Sequence, residues 1–369
     1  MKALILTMTS GEGHNNIART LCNQLAQTGI ESETIDIFAH NELEYKFNNM
    51  GYLFACSHFP KTYDYFWKKL KFRKSEKRYR GVAQREVEKV SDFVRKKAER
   101  ANADFFLCVH PYCAILCDFW KRKGYFADKK VIAILTDILP HPLWESAIRC
   151  DYVIVPTRHS LQQLENKGFD EKQIVVGAYP VRAEFTQVLD KAEIRQKLGL
   201  QNKFTVLILS GGYGIGKNYK VARQLLKSDV QILCVNGRNK HAFAQTQKLA
   251  EQHPEFCLKN FGFVNNLDEL MSAADLVVSR GGAGSLFEAM SKQLPVIVRE
   301  NPIINERENA EILQNEGVAV KLQSLSQIAA IVEDFRQNPK KAQYAQAKCC
   351  QLTQRKCVKD VCQTIVNLL

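Results

Sequence analysis

Asp275-Leu276-Val277-Val278-Ser279-Arg280-Gly281-Gly282-Ala283-Gly284-Ser285-Leu286-Phe287-Glu288-Ala289 is the stretch from which the fold can be read. Leu276-Val277-Val278 has the short β-branched character of a buried strand, and helical spacing follows to about Lys292. Pro295-Val296-Ile297-Val298 then reads as the next strand. A glycine-rich turn thus joins the carboxyl end of one strand to a helix N-terminus, where free N–H groups and the positive end of the helix dipole suit phosphate. Arg280, Gly281, Gly282, Ala283, Gly284 and Ser285 form this turn, and Glu288 lies one helical turn further on. The turn could hold a diphosphate and the carboxylate a ribose, as a sugar nucleotide requires. The same pattern also serves as an ordinary strand–turn–helix connection.

Outward from this stretch the pattern repeats. Strands are expected at 2–7, 33–37, 104–109, 130–135, 151–155 and 174–176, and again at 204–209, 230–235, 258–263, 275–279, 295–298 and 318–321. Helices are clearest at 14–28, 84–100, 159–167, 240–252, 284–292, 305–315 and 325–336. Such βαβ alternation implies parallel sheets covered by helices on both faces. The rhythm restarts near residue 203, so two doubly wound α/β domains are expected, at 1–185 and 186–345. The polar helical segment 346–369 is expected to pack back on the first. Ligands in such folds bind beyond the carboxyl ends of the strands.

The 369 residues suffice for two cores, and 46% hydrophobic with 25% charged content is that of a soluble globular protein. No uncharged apolar run reaches the roughly 18 residues of a membrane-spanning helix. The first residues, Met1-Lys2-Ala3-Leu4-Ile5-Leu6, read as a strand rather than a signal sequence, which makes a cytoplasmic location the expectation. The 12 cysteines lie mostly in apolar runs without Cys-x-x-Cys pairs or zinc spacing, so free buried thiols are expected and no metal site.

The net charge of +13 is unevenly spread. Residues 61–80 carry nine Lys or Arg against Asp64 and Glu76, with aromatic residues interleaved. Tyr65, Phe66, Trp67, Lys68, Lys69, Lys71, Arg73 and Lys74 at its centre suit an anionic bilayer, rings at headgroup level and charges on phosphate. The composition would also suit single-stranded nucleic acid or a solvated basic face.

Five further motifs stand at strand-to-helix turns. Gly11-Glu12-Gly13-His14 follows the first strand and is a weak dinucleotide fingerprint, since no third glycine follows at the right spacing. His14 at a helix N-terminus is a candidate general base, its pKa expected to be lowered by the dipole. Thr136-Asp137 with His141 and Trp144 follows the strand ending near 135, and Asp137 could orient an imidazole or take a proton itself. Ser210-Gly211-Gly212-Tyr213-Gly214-Ile215-Gly216-Lys217 matches a P-loop until Asn218 stands where Ser or Thr would hold magnesium. Asn236-Gly237-Arg238-Asn239 and Asn305-Glu306-Arg307-Glu308-Asn309 have donors and acceptors suited to sugar hydroxyls.

In this order and spacing, with Gly177-x-x-Pro180-Val181-Arg182 and Gly262-Phe263-Val264, these motifs resemble the glycosyltransferase family that contains monogalactosyldiacylglycerol synthases and processive diacylglycerol glucosyltransferases, family 28. The resemblance runs from Lys2 to about Val320. It implies the GT-B fold, two Rossmann-like domains facing each other across a cleft, and an inverting UDP-sugar-dependent hexosyltransferase without cofactor or essential metal. It implies donor binding by Gly211, Gly212, Tyr213, Arg238, Phe263, Val264, Arg280 to Ser285, Glu288, Asn305, Glu306 and Asn309. Catalysis would fall to His14 or Asp137, and acceptor handling to Gly11, Gly13, Thr136, His141 and Trp144. The implied acceptor is a diacylglycerol-type lipid on the cytoplasmic face of a membrane, where the protein would sit peripherally. Transfer of N-acetylglucosamine to a polyprenyl-diphosphate lipid is the alternative within the fold. A nucleotide-sugar-sensing nucleic-acid binder ranks behind both. Two departures bear on the donor: Ile304-Asn305-Glu306 stands where the family usually has Gly-Gln-Glu, and Arg280 where many relatives have Lys.

Overall fold

A computed structural model describes residues 1–9, 13–39, 73–299 and 303–369, with the backbone alone at 73–80 and 82. The described chain divides into two compact units, Met1–Arg182 with Lys356–Leu369, and Ala183–Arg355.

The first unit is built on six parallel strands, β1 (Lys2–Thr7), β2 (Glu31–Asp36), β3 (Phe105–Cys108), β4 (Lys130–Ile134), β5 (Tyr152–Val155) and β6 (Ile174–Val176), in the order β2-β1-β3-β4-β5-β6. β3 is buried at every residue, as expected of a strand covered on both faces, whereas β2 at the sheet's edge is mostly open. Helices α1 (Gly13–Gln27), α2 (Arg73–Ala101), α3 (Pro111–Arg122) and α4 (Arg158–Glu165) complete the layers. α3 falls within a run that has no polar face to give it a helical signature. Cys113, Ala114, Ile115, Leu116, Cys117 and Trp120 are all buried, so the helix is apolar nearly all round and Pro111 starts it. α2 begins at Arg73, a full three turns before the expected start at 84.

The second unit repeats the plan with β7 (Thr205–Leu209), β8 (Gln231–Val235), β9 (Leu258–Phe261), β10 (Leu276–Ser279), β11 (Val296–Val298) and β12 (Ala319–Lys321). The order is β12-β11-β10-β7-β8-β9, again all parallel. Its helices are α5 (Lys191–Lys197), α6 (Asn218–Leu225), α7 (Lys240–Gln252), α8 (Leu267–Ala273), α9 (Ala283–Ser291), α10 (Ile304–Asn315), α11 (Ile328–Gln337) and α12 (Pro339–Thr353). At the amino edge Asp275 accepts from Arg195 (2.6 Å), Lys191 (2.8 Å) and the Thr205 N–H (2.8 Å), so it staples strand starts together.

The boundary expected at 345 falls inside α12, which stays with the second unit. Only α13 (Val358–Leu368) joins the first, where it packs on α1. The Val358 N–H bonds the Val181 carbonyl at 2.9 Å, and Lys130 Nζ holds the carbonyl of Leu368 at 2.7 Å. Among the described residues no helix is long and apolar enough to cross a membrane.

Candidate functional site

In an open parallel sheet the crevice for a ligand opens where the strand order reverses, because neighbouring crossovers leave in opposite directions there. In the first unit that point lies between β1 and β3. α1 leaves β1 and α3 leaves β3, which puts His14 and His110 side by side. Their ring centroids are 4.7 Å apart, edge to face, and His110 stacks on Tyr112 at 5.6 Å.

The hydrogen bonds fix the tautomers. His14 Nδ1 lies 2.9 Å from the Val109 carbonyl, an acceptor only, so Nδ1 carries the proton and Nε2 keeps its lone pair. Thr136 Oγ1, from the end of β4, is 3.0 Å from the same Nδ1 and buttresses the ring. His110 and His141 have the opposite tautomer: each Nδ1 accepts a backbone N–H, from Tyr112 (3.2 Å) and Leu143 (3.0 Å). Burial pushes His14 down from 6.5 to about 4, against a small upward pull from the Val109 carbonyl. Burial is therefore the cause, where the helix dipole was the expected one. It also lowers His141 to about 3, with Lys167 and His14 adding to the effect, and holds His110 well below the usual range. An uncharged imidazole with a free Nε2 is what a general base needs.

Of the remaining first-unit candidates, Asp137 follows Thr136 and its Oδ1 accepts the Ile138 N–H at 2.9 Å. His141 caps the short 3₁₀ turn Pro142–Ser146. Trp144 is a core residue at 2% exposure, so it presents no surface to an acceptor. It entered the acceptor set through the family resemblance, and its indole belongs to the hydrophobic core of the first unit. Gly13 opens α1. Gly11 and the basic–aromatic residues Tyr65, Phe66, Trp67, Lys68, Lys69 and Lys71 lie outside the described residues. Arg73 and Lys74 are described only as the first backbone positions of α2.

In the second unit the order reverses between β7 and β10, and the turns after β7, β8 and β10 interlock there. Gly237 (φ +56°) lies so close to the first turn that a Cβ would meet the Gly212 carbonyl oxygen at 2.5 Å. The Arg238 N–H donates to that same oxygen at 2.9 Å. Asn239 donates to the Gly214 carbonyl at 2.9 Å while its Oδ1 caps α7. Asn218, fully buried, donates to Ser210 Oγ and the Val235 carbonyl, both at 3.0 Å. Its side chain thus ties the start of the loop to the end of β8.

The turn after β10 is held as tightly. Gly281 has φ +106°, and a Cβ there would stand 2.7 Å from the Glu306 carbonyl oxygen. Asn309, fully buried, donates to the Gly281 carbonyl at 3.0 Å and so supports the turn from beneath. Arg280 links the loops: Nη1 donates to the Ile215 carbonyl (3.3 Å) and Nη2 to Glu306 Oε2 (3.1 Å). No side chain caps α9, which leaves the amides of Ala283, Gly284 and Ser285 pointing out of its first turn, with Glu288 one turn behind. Arg238 lies over the Phe263 ring at 4.3 Å, and Phe263 is 51% exposed, a flat platform beside Val264.

Two residues at these turns escape a sequence reading. His110 sits between a strand and a helix-starting proline, but the apolar run around it masked the junction. Arg299 directly follows β11 with no glycine to mark it. Among the described residues no His, Cys, Asp and Glu group is arranged to hold a metal ion.

The comparisons with known proteins divide along the same lines. Residues 14–181 match the family model for monogalactosyldiacylglycerol (MGDG) synthase, and residues 216–364 that for the glycosyltransferase family 28 C-terminal domain. A processive diacylglycerol β-glucosyltransferase of Bacillus pumilus is 26% identical over 345 residues, 92% of this chain and 88% of the relative. One of Bacillus cereus is 28% identical over 353 residues, 92% and 87% of the two chains. Among solved structures, Acinetobacter baumannii MurG superposes with a TM-score of 0.64 at 15% identity, covering 100% of both chains. Anabaena HepE in complex with UDP-glucose gives 0.57 at 16% identity, also over 100% of both. These likenesses show the GT-B fold, and the chain carries a monogalactosyldiacylglycerol synthase domain followed by a glycosyltransferase family 28 C-terminal domain.

Proposed function

We propose that this protein moves a hexose from a UDP-sugar to a diacylglycerol-type membrane lipid, inverting the anomeric carbon. The observation that carries the reading is the interlocked set of glycine turns at the second unit's switch point, which combines outward amides, Arg280 and a carboxylate one turn behind. Diphosphate would lie on the amides of 281–285 and of the Gly211-Gly212-Tyr213 loop, ribose hydroxyls on Glu288 and the base beside Phe263 and Val264. Asn305 and Glu306 would read the hexose. The relatives' names, diacylglycerol β-glucosyltransferase and MGDG synthase, support the lipid acceptor.

In the proposed reaction the acceptor hydroxyl gives its proton to His14 Nε2 as its oxygen attacks the anomeric carbon. The bond from that carbon to the diphosphate oxygen breaks, and UDP leaves with the electron pair. The imidazolium that forms keeps its Nδ1–H on the Val109 carbonyl. Asp137 is the alternative base. Negative charge on UDP is met by backbone N–H groups and Arg280, with no metal in the step. Gly11, Gly13, Thr136 and His141 would line the acceptor side. The stretch 61–80 would hold the protein peripherally on an anionic cytoplasmic leaflet. Incubation with UDP-hexoses and diacylglycerol vesicles, followed by mass spectrometry of the lipid, tests the reading. A hexosyl-diacylglycerol is expected, and its absence with every donor would refute the assignment.

A further inference from the structure

Arg299 is used by none of the steps above, yet it occupies the switch point itself. Its backbone N–H bonds the Ser279 carbonyl at 2.9 Å, which ties the end of β11 to the Arg280 turn. From there the side chain passes beneath β10 to the loop after β7, where Nη2 reaches the Leu209 carbonyl at 3.4 Å, a long bond. A Cβ on Gly216 (φ +138°) would come within 3.0 Å of Nη2 and 3.3 Å of Nη1, so the guanidinium fills the space under the loop. Nε has no solvent-accessible surface and no hydrogen-bond partner among the described residues.

Arg280 repels Arg299, and Glu306 is the one described carboxylate that acts on Arg299 favourably. That carboxylate is already bonded to Arg280 at 3.1 Å. Among the described residues both guanidinium groups thus lie near the Glu306 carboxylate. Enclosure in the protein and the nearby Arg280 lower Arg299 to about 10, which still leaves it charged at neutral pH. A partly buried cation whose enclosed Nε lacks a partner is a costly arrangement that an anion would relieve.

We infer that Arg299 is a second cationic binding residue for the diphosphate, set beneath the Gly214–Gly216 loop so that the donor's phosphates complete its hydrogen bonding. It lies directly under the loop that Arg280 grips from the other side through the Ile215 carbonyl. The planar fork of a guanidinium suits two phosphate oxygens at once. This inference rests on the donor reading above and assigns Arg299 a part in it.

The test is calorimetric titration of wild type, Arg299→Gln and Arg299→Lys with UDP, uridine and inorganic pyrophosphate, alongside the thermal midpoint of each unligated protein. Loss of a charge-assisted contact should weaken UDP and pyrophosphate about ten- to a hundredfold in Arg299→Gln. Uridine affinity should stay the same, with the lysine variant in between. The unligated midpoint should hold or rise, since a partly buried charge with an unpartnered Nε has been removed. Unchanged UDP affinity in both variants would overturn the inference. So would an equal loss of UDP and uridine binding with a lower midpoint, which is what a scaffold residue gives. Should the glutamine variant fail to fold, the lysine variant decides by the same contrast between UDP and uridine. A wild type that binds pyrophosphate but not UDP would remove the nucleotide reading, and the pyrophosphate comparison would then decide the role of Arg299.

Discussion

Gly281→Ala puts the second unit's turn to a quantitative test. The residue has φ +106°, which an L side chain adopts only with strain of order 1–3 kcal/mol. Its new Cβ would lie 2.7 Å from the Glu306 carbonyl oxygen and 3.0 Å from Val298 Cγ1, too close for either to remain in place. The first is backbone at the start of α10 and the second a packed strand side chain, so neither yields easily. The turn must move, and the buried bond from Asn309 to the Gly281 carbonyl, now 3.0 Å, would lengthen or break. Leaving such a group unsatisfied costs about 1–3 kcal/mol. Together about 2–6 kcal/mol of stability should be lost, read as a lower urea midpoint with an unchanged slope. UDP affinity should fall as well, because the amides of α9 shift with the turn. Gly81→Ala is the control: it lies in α2 with nothing within 4 Å of a new Cβ, and it should be neutral or stabilising by up to about 1 kcal/mol. A Gly281→Ala protein with wild-type stability and UDP affinity would refute this account of the turn.

Other outcomes follow from the first unit and the donor helix. His14→Ala should cut turnover a hundredfold or more with UDP affinity retained; if Asp137→Asn is the damaging change and His14→Ala the mild one, the base is Asp137. His14 and His141, lowered to about 4 and about 3, and His110, lowered further than most, bind fewer protons folded than unfolded below about pH 6.5. Stability should therefore fall as pH drops from about 6.5 toward 4, by at most about 1.4 kcal/mol per pH unit for each ring. An acid limb of the melting curve that is unchanged when His14 and His141 are replaced together would contradict this. Glu288→Gln should weaken UDP-sugar binding by roughly 1.5–3 kcal/mol, and calorimetry showing no change would remove Glu288 from the ribose.

Both sheets were legible in the sequence because parallel strands buried on two faces, such as Thr205–Leu209, are short unbroken apolar runs. The turns after β7, β8 and β10 were legible because close backbone approach, as at Gly237 on Gly212, demands glycine and glycine is visible. Helix α3 was not, since its first two turns, Pro111 to Cys117, are almost wholly buried and apolar and merge with the strand before them. His110 and Arg299 were missed for a related reason. Each is a single residue at a strand end, and its importance comes from strand order, which places it at a reversal in the sheet. Trp144 was named through the family resemblance, and the packing of its indole into the core is not visible from its place in a loop. His14 was singled out by its place at a helix start, but the force on its pKa is enclosure by residues following β3 and β4, which sequence spacing does not reveal.

The most direct measurement of the central claim is the initial rate of UDP release from UDP-glucose, UDP-galactose and UDP-N-acetylglucosamine, each with and without diacylglycerol in anionic vesicles. The account predicts release that depends on the lipid, favours a hexose donor, and collapses in His14→Ala. UDP release that ignores diacylglycerol, or no release from any donor, would contradict it.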